Sequence, residues 1–268
     1  MTTNDIEWIE IPAGETVVGL SDQQKRLLLR RLHWQMGGLW QLFGNNRKRL
    51  QGMEWWITHI RGEQRVWVPA FFISRYPVTL HQYVEFQRQV GRPTSPLSQR
   101  TLDAGWGKLP ALVDYEDALA FCRQVGVRLP TSNEWEKAAR GPRNSLYPWG
   151  DNWDPKRANV IQRVASQLPK NRSPRNSWAT EVDAYPSGQS EYGVWDLVGN
   201  IQEWTSSMQD FASPYGGFCQ AHVVRRMPIR LWEDLAWVNN VLAFEHPNED
   251  GRAHAEWYIG FRVARDKL

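Results

Sequence analysis

The stretch from residue 141 to about residue 220 most constrains the fold, because it is rich in Pro, Asn, Gly, Ser and Trp and has almost no helical or strand periodicity. Irregular backbone of this length needs stabilisation that the hydrogen-bond ladders of regular elements do not provide. Aromatic packing and bound cations are the usual sources of that stabilisation. The 268 residues include 16 Trp, which agrees with aromatic packing. The sequence therefore predicts a folded domain with much irregular structure.

Composition and charge exclude several functional classes. Apolar residues make up 41% of the chain, which is enough for a sizeable core, and the net charge of +3 does not demand a nucleic-acid partner. No apolar run approaches the roughly 20 residues that a membrane span needs. The first residues lack the basic and apolar regions of a secretory signal, so we expect a cytoplasmic protein.

The two cysteines cannot form a disulfide framework or a four-thiolate zinc site. Cys122 lies in an apolar stretch with helical character and is predicted to be a core residue. Cys219 follows the loop sequence YGGF and is the only candidate for a reactive thiol.

Local patterns near the N-terminus predict a hairpin followed by a helical insert. Residues 8–14 alternate like a strand and end at a Pro/Gly turn, with residues 17–19 as the return strand. Ser21 and Gln24 form a capping-box pattern that opens a basic amphipathic helix reaching about residue 43. Such a helix can bind a partner or a membrane surface, or it can be a local lid whose arginines are solvated.

Further along the chain, residues 66–73 predict a buried strand and residues 91–110 a loop. A helix that starts at residues 77–79 is expected to run through residue 86, and further helices are expected over residues 115–125 and 133–140. The last of these has Thr131 as its N-cap and Glu134 as the partner in a capping box.

Several motifs, taken in their order and spacing, resemble the formylglycine-generating-enzyme (sulfatase-modifying factor) domain family. They are IPAG (11–14), FISRYPVT (72–79), DALAFC (117–122), RLPT (128–131), EWEKAARG (134–141), YPWGD (147–151), ANV (158–160), YGVWDLVGNIQEWT (192–205) and GFRVA (260–264). The resemblance covers the whole chain. It implies a single α+β domain with a variant of the C-type lectin fold.

The chain departs from this family in its C-terminal part. The resemblance implies that the copper-dependent oxidases of the family use two cysteines shortly before the GFR tail, because thiolates bind the soft Cu(I) ion. Residues 223–259 contain no cysteine, so we expect no formylglycine generation by that mechanism. Arg226 and Met227 also replace the two glycines of the family's Arg-Gly-Gly-Ser-Trp-like turn, so the local backbone is expected to differ.

The resemblance also implies structural Ca²⁺ at two places. Asn200, the carbonyl of Ile201 and Glu203 offer oxygen donors within four residues, which suits a hard cation. The alternative is that Asn200 and Glu203 only tie a turn to the backbone. Asn159 and Val160 resemble the start of the second calcium site, although residues 173–177 offer no clear acidic partner.

His246 and His254 provide a different reading, because imidazole together with the acidic residues nearby suits an iron or zinc centre. The resemblance to ergothioneine-type sulfoxide synthases implies that their iron-binding histidines lie in a separate helical domain, for which this chain has no room. Both histidines can equally be ordinary surface residues.

The remaining candidates combine aromatic rings with guanidinium groups, which contribute large contact energies when they are desolvated. These ligand-binding candidates are Arg226, Arg230, Trp232, Trp237, Trp257 and Arg262. They predict a surface for a peptide or a planar ligand. The alternative is that the tryptophans fill the core of an irregular domain.

The sequence therefore predicts one domain over residues 1–268, with a helical insert at 21–62 and a divergent C-terminal recognition segment at 223–259. The favoured function is non-catalytic binding of a ligand, most simply a protein or peptide. Retroelement-diversified variable proteins share this scaffold and a similar tail, but diversification of asparagine codons at adenines cannot produce the Trp and Glu residues of the segment. The alternative is a metal-dependent, non-haem iron oxidase or sulfoxide-synthase-like enzyme that acts on a peptide or thiol. The insert is expected to contact a partner or to cover the pocket.

Overall fold

The computed structural model describes residues 2–36, 50–51, 54–55, 57–58, 62–159, 179–212, 218–226, 239–242 and 259–267. Short 3-10 helices lie at Thr3–Asp5, Pro155–Arg157 and Pro186–Gly188. The longer elements are β1 (Trp8–Ile11), β2 (Gly14–Val18), α1 (Asp22–Met36), β3 (Gln64–Val68), β4 (Phe71–Ser74), α2 (Leu80–Gln89), α3 (Pro96–Asp103), α4 (Tyr115–Val125), α5 (Ser132–Arg140), β5 (Gln202–Ala212), β6 (Phe218–Arg226), β7 (Asn239–Leu242), β8 (Ile259–Phe261) and β9 (Ala264–Asp266).

The first two strands do not form the predicted hairpin. Instead, β1 pairs antiparallel with β4 and β4 with β9, whereas β2 pairs antiparallel with β3 in a separate two-stranded sheet. Ile11 and Ile73 are fully buried on the first sheet, and Val18 and Val68 are buried on the second. Each strand therefore buries its apolar side chains with a partner that lies far away in sequence. The turn signal at Pro12 marks the passage from one sheet to the other.

A four-stranded sheet has the order β7-β6-β5-β8, in which β5 and β8 are parallel and the other pairs are antiparallel. Its longest strand, β5, lies in the stretch that the sequence predicted to be irregular. Gln202, Glu203, Trp204 and Thr205 are all buried, so both faces of the strand are covered. A strand that is buried on both faces has no alternating pattern, which is why periodicity did not predict it.

The predicted helices at 77–86, 115–125 and 133–140 are confirmed as α2, α4 and α5, although α2 begins only at Leu80, after its N-cap Thr79. Capping boxes begin α2 at Thr79 and α5 at Thr131. The predicted loop at 91–110 instead contains α3, which has Ser95 as its N-cap and Pro at its first turn. No helix in the described part of the chain combines the length and apolar character needed to cross a bilayer.

The largest core cluster joins α2, α4 and the C-terminal strands. Phe121 contacts Phe86 edge-on with ring centroids 5.4 Å apart, and it contacts Phe261 edge-on at 5.2 Å. Trp204 of β5 packs in the same cluster and donates from its indole to the backbone carbonyl of Val113 at 3.0 Å. Aromatic packing of this kind ties the end of the chain to its middle.

The insert packs against the domain through its apolar side chains. The predicted capping box is present, because Ser21 and Gln24 exchange their backbone and side-chain hydrogen bonds at 3.2 Å. Leu28, Leu32 and Ile57 are buried in a cluster that contains Tyr147 and, at its edge, Trp149 and Trp153. The described leucines of α1 therefore face the domain and not a membrane surface. The remainder of the predicted helix, from residue 37 to about residue 43, lies outside the described residues.

Leu28→Ala is expected to lower the free energy of unfolding by about 2–5 kcal/mol, because a fully buried leucine leaves a cavity when it is truncated. Urea unfolding curves of the purified chain provide the measurement. Arg26→Ala, on an exposed position of the same helix, is the matched control and should change stability by less than about 0.5 kcal/mol. Equal stabilities for Leu28→Ala and the wild type would show that the insert does not pack as described.

Candidate functional site

Helix α5 packs against strands β2, β3, β5 and β6 and carries an unusual set of buried charges. Every residue from Glu134 to Arg140 is buried. The capping box at Thr131 begins this helix, and Gly141, which has a positive φ of 67°, ends it. Burial of a charge destabilises the fold unless the charge is paired. The partners of these side chains therefore decide whether each charge has a structural role or is available for chemistry.

Arg262 and Glu203 form a buried ion pair on one side of α5. The guanidinium Nε and Nη2 donate to the two carboxylate oxygens at 2.6 and 2.7 Å, and the indole of Trp135 donates to the same carboxylate at 2.8 Å. The remaining Arg262 donors reach the backbone carbonyls of Ser74, Arg75 and Trp195. Arg262 is 0% exposed.

The prediction that Arg262 binds a ligand at the surface therefore needs correction. Its guanidinium lies in the interior, where it neutralises Glu203 and satisfies three backbone carbonyls. The sequence placed Arg262 near the tryptophans of the recognition segment, but sequence proximity did not reveal that its partner is 59 residues away.

Glu136 of α5 forms ion pairs with two further arginines, Arg140 of the same helix and Arg225 of β6. Its Oε2 accepts from Arg225 at 2.7 Å, and its Oε1 accepts from Arg140 at 3.1 Å and from the backbone N–H of Gly19 at 2.8 Å. Burial alone would raise the pKa of Glu136, but the two guanidinium groups outweigh burial and hold that pKa below its ordinary value. The two guanidinium groups therefore hold the Glu136 side chain as a carboxylate anion.

Asn200 lies in a tight turn where it makes hydrogen bonds with both ends of its amide. Its backbone has a positive φ of 62°. The amide oxygen accepts from the side chain of Asn159 at 2.9 Å and from the backbone N–H of Thr180 at 2.8 Å. The amide nitrogen donates to the Thr180 carbonyl and to Asp196. Burial raises the pKa of the Asp196 carboxyl to about 8.

Hydrogen-bond donors surround two of the predicted calcium ligands, Asn200 and Glu203, and the prediction of Ca²⁺ at Asn200, Ile201 and Glu203 stays untested. N–H donors from the protein occupy the Asn200 amide oxygen and both Glu203 carboxylate oxygens, and a cation would lie beside the guanidinium of Arg262. Within the described ranges, no group of three or more His, Cys, Asp or Glu side chains is placed to hold a metal ion. The second calcium prediction stays untested, because Asn159 is described but Val160 is not.

Most of the predicted ligand-binding residues lie outside the described residues. Of Arg226, only the backbone at the end of β6 is described. The others outside the described residues are Arg230, Trp232, Trp237, Trp257, His246 and His254.

A separate cavity of about 750 Å³ opens beside the first turn of α2. Asp5, Glu85 and Glu181 contribute carboxylates to its lining, and Lys108 in the same lining pairs with Asp183 at 2.6 Å. The lining includes none of the predicted site residues. The buried charge network around α5 and this cavity are therefore different features of the molecule.

The sequence comparison gives a match to the family described as the sulfatase-modifying factor enzyme 1-like domain over residues 6–267. YfmG of Bacillus subtilis, an uncharacterized protein, is 31% identical over 200 residues, which cover 64% of this chain and 40% of YfmG. The inactive C-alpha-formylglycine-generating enzyme 2 of Bos taurus is 37% identical over 131 residues, which cover 47% of this chain and 40% of that protein. The matched region is thus less than half of either relative.

Three solved structures share the fold over nearly all of the chain. PvdO from Pseudomonas aeruginosa has a TM-score of 0.59 at 18% identity and covers 97% of this chain and 94% of its own. CarF has a TM-score of 0.57 at 17% identity, with 98% and 99% covered. Treponema denticola variable protein 1 has a TM-score of 0.55 at 16% identity, with 97% and 95% covered. At these identities the likeness shows the fold alone, and it confirms the predicted α+β class.

The family match extends over almost the whole chain, and the described helices and sheets agree with the folds of those structures. The chain therefore belongs to the family of sulfatase-modifying factor enzyme 1-like domains.

Proposed function

We propose that the chain is a non-catalytic domain that binds a protein or peptide ligand through its recognition segment at 223–259. The observation that carries the non-catalytic part is the position of Cys122. This residue is buried in the main core cluster, and burial raises the pKa of its thiol to about 12. The chain has two cysteines, so Cys219 is left without a second thiolate to bind Cu(I).

The charged groups around α5 add support for a structural role. Glu203 is neutralised by Arg262 in the interior, and Glu136 is neutralised by Arg140 and Arg225. Side chains that are paired in this way hold elements together and are poor candidates for proton transfer. The bovine relative, whose name describes an inactive enzyme, is consistent with this reading.

The binding part of the proposal draws support from how the recognition segment is anchored. Its described strands β6, β7 and β8 belong to one sheet, and Arg226 at the end of β6 pairs with Asn239 at the start of β7. The stretches 227–238 and 243–258 therefore begin and end on the same sheet. Binding residues commonly lie on loops that a rigid scaffold holds in this way. These two stretches contain Trp232, Trp237 and Trp257.

Thiol and oxygen measurements test the non-catalytic part. In the native protein, Cys219→Ser should leave no thiol that reacts quickly with an aromatic disulfide reagent, and unfolding should expose one. The wild type with Cu(I) and a cysteine-containing peptide should consume oxygen no faster than Cu(I) and peptide alone. Peptide oxidation that is lost in Cys122→Ser would contradict the proposal. Stoichiometric iron, copper or zinc that is lost in His246→Ala would favour the enzyme instead.

Partner capture tests the binding part. Immobilised wild-type chain should retain a protein from the lysate of its source cell, and Trp232→Ala with Trp237→Ala should weaken that binding by roughly 30-fold or more, the effect of one aromatic hot spot. Trp67→Ala is the matched control, because Trp67 is 70% exposed on β3, outside the segment. A collapse of the melting temperature in the double variant would show that these tryptophans belong to the core.

A further inference from the structure

Gln24 in the first turn of the insert makes contacts beyond its role in the capping box. Its side-chain oxygen accepts from Ser21 N–H at 3.2 Å and also from Arg140 Nη2 at 3.0 Å. Its side-chain nitrogen donates to the carbonyl of Asn144 at 3.1 Å. The start of α1 is therefore attached to the end of α5.

Arg140 extends this contact into the interior. The residue is 2% exposed, and its Nε donates to the carbonyl of Ser145 at 3.0 Å. Its Nη1 donates to the carbonyl of Gly19 and to the carboxylate of Glu136. Arg140 thus contacts the insert with one nitrogen and Glu136 with another.

Glu136 connects Arg140 to the recognition segment. One carboxylate is shared between two guanidinium groups, with Arg140 on Oε1 and Arg225 on Oε2. Electrostatic interactions are strong in an interior of low dielectric. A change in the position of one guanidinium group therefore alters how strongly the Glu136 carboxylate binds the other one.

Arg225 depends strongly on this connection because few other groups hold its side chain. Its Nη2 donates to Glu136 and to the carbonyl of Ser132, each at 2.7 Å, and its guanidinium lies 5.6 Å from the ring centroid of Trp135. Its Nε is buried and has no hydrogen-bond partner among the residues that the structure describes. Arg225 pairs with Glu203 of β5 and Asn240 of β7, close to the point where the 227–238 stretch begins.

We propose that Gln24 is a positioning residue that acts through Arg140 and Glu136 to fix Arg225 and the base of the recognition segment. The inference rests on the proposed function for the role of that segment. It joins the insert at 21–62 to the recognition segment at 223–259. The insert then supports binding from inside the domain, without contacting the ligand itself.

Amide hydrogen exchange in Gln24→Ala tests this inference, with Gln82→Ala as the matched control. Gln82 caps α2 with the same pair of hydrogen bonds that Gln24 makes in α1, but it contacts no residue of the buried network. We expect Gln24→Ala to accelerate exchange at residues 223–226 by about fivefold and Gln82→Ala to leave it within about twofold of the wild type. Gln24→Glu, which keeps an oxygen acceptor for Arg140, should restore protection.

Side-chain NMR provides a readout that a general loss of stability would not move. The Nε–H signals of Arg140 and Arg225 should shift in Gln24→Ala, whereas that of Arg262, which pairs with Glu203, should stay in place. An unmoved Arg225 signal, or equal acceleration at 223–226 in Gln82→Ala, would overturn the inference. Both measurements need no partner, so their failure is distinguishable from the failure of partner capture by the Trp232 and Trp237 variants.

Discussion

Replacing Arg262 by methionine is expected to lower the free energy of unfolding by about 3–5 kcal/mol, because it leaves the carboxylate of Glu203 buried without its cation. Glu203 is 1% exposed, and among the described residues only the indole N–H of Trp135 would remain as a donor to its carboxylate. Three backbone carbonyls would also lose the Arg262 donors that they now share. Guanidinium unfolding curves, analysed by linear extrapolation, measure the loss.

The double variant Arg262→Met with Glu203→Gln is the matched control. Removing the buried negative charge should recover about 1–3 kcal/mol of the loss, although the unpaired carbonyls keep the double variant below the wild type. A further drop in stability on adding Glu203→Gln would contradict the interior ion pair. Arg262→Met within about 1 kcal/mol of the wild type would return Arg262 to the surface role that the sequence predicted.

The parts of the fold that the sequence predicted correctly depend on short-range signals. The capping boxes at Thr131 and Ser21 place a side chain three residues from the backbone group that it caps, so the pattern is visible in the sequence. The pairing of β1 with β4, and of β4 with β9, depends on contacts between residues that lie far apart in the sequence. Local turn residues such as Pro12 carry no information about such distant partners.

The roles of the candidate site residues also depend on contacts that the sequence does not reveal. The motifs predicted Asn200 and Glu203 as calcium ligands and Arg262 as a ligand-binding residue. A carboxylate or an amide oxygen can bind a cation, accept an N–H or neutralise a guanidinium, and residue type alone does not choose between these roles. The choice depends on which donors the fold places nearby, and here the donors come from Asn159, Trp135 and Arg262 itself.

The described tryptophans include buried residues, which the sequence predicted, and exposed residues, which it did not. Trp135 and Trp204, which lie in family motifs, are buried and donate to Glu203 and to the Val113 carbonyl, so they serve the scaffold. This agrees with the aromatic packing that the tryptophan content predicted. The sequence also predicted a buried strand over residues 66–73, whereas Trp67 in β3 is 70% exposed, because a strand of five residues gives too short a pattern to separate its two faces.

The close approach of the 199–200 turn to residue 159 leads to the second large expected effect. Gly199 has a φ of +75°, and a methyl group in place of its hydrogen would lie 2.2 Å from the carbonyl oxygen of Asn159. That oxygen accepts the backbone N–H of Asn200 at 3.1 Å. Gly199→Ala is therefore expected to cost at least about 3 kcal/mol, from backbone strain and overpacking together.

Gly126→Ala separates these two causes. Gly126 has the same φ of +75° as the C-cap of α4, but a methyl group there would meet no atom within 4 Å. This variant should lose only about 1–2 kcal/mol, the cost of a left-handed conformation for an L-residue. Thermal and urea unfolding of both variants measure the difference. Because Gly199, unlike Gly126, faces a carbonyl at contact distance, equal losses in the two variants would contradict the approach of the turn to Asn159, and with it the hydrogen bonds that occupy Asn200.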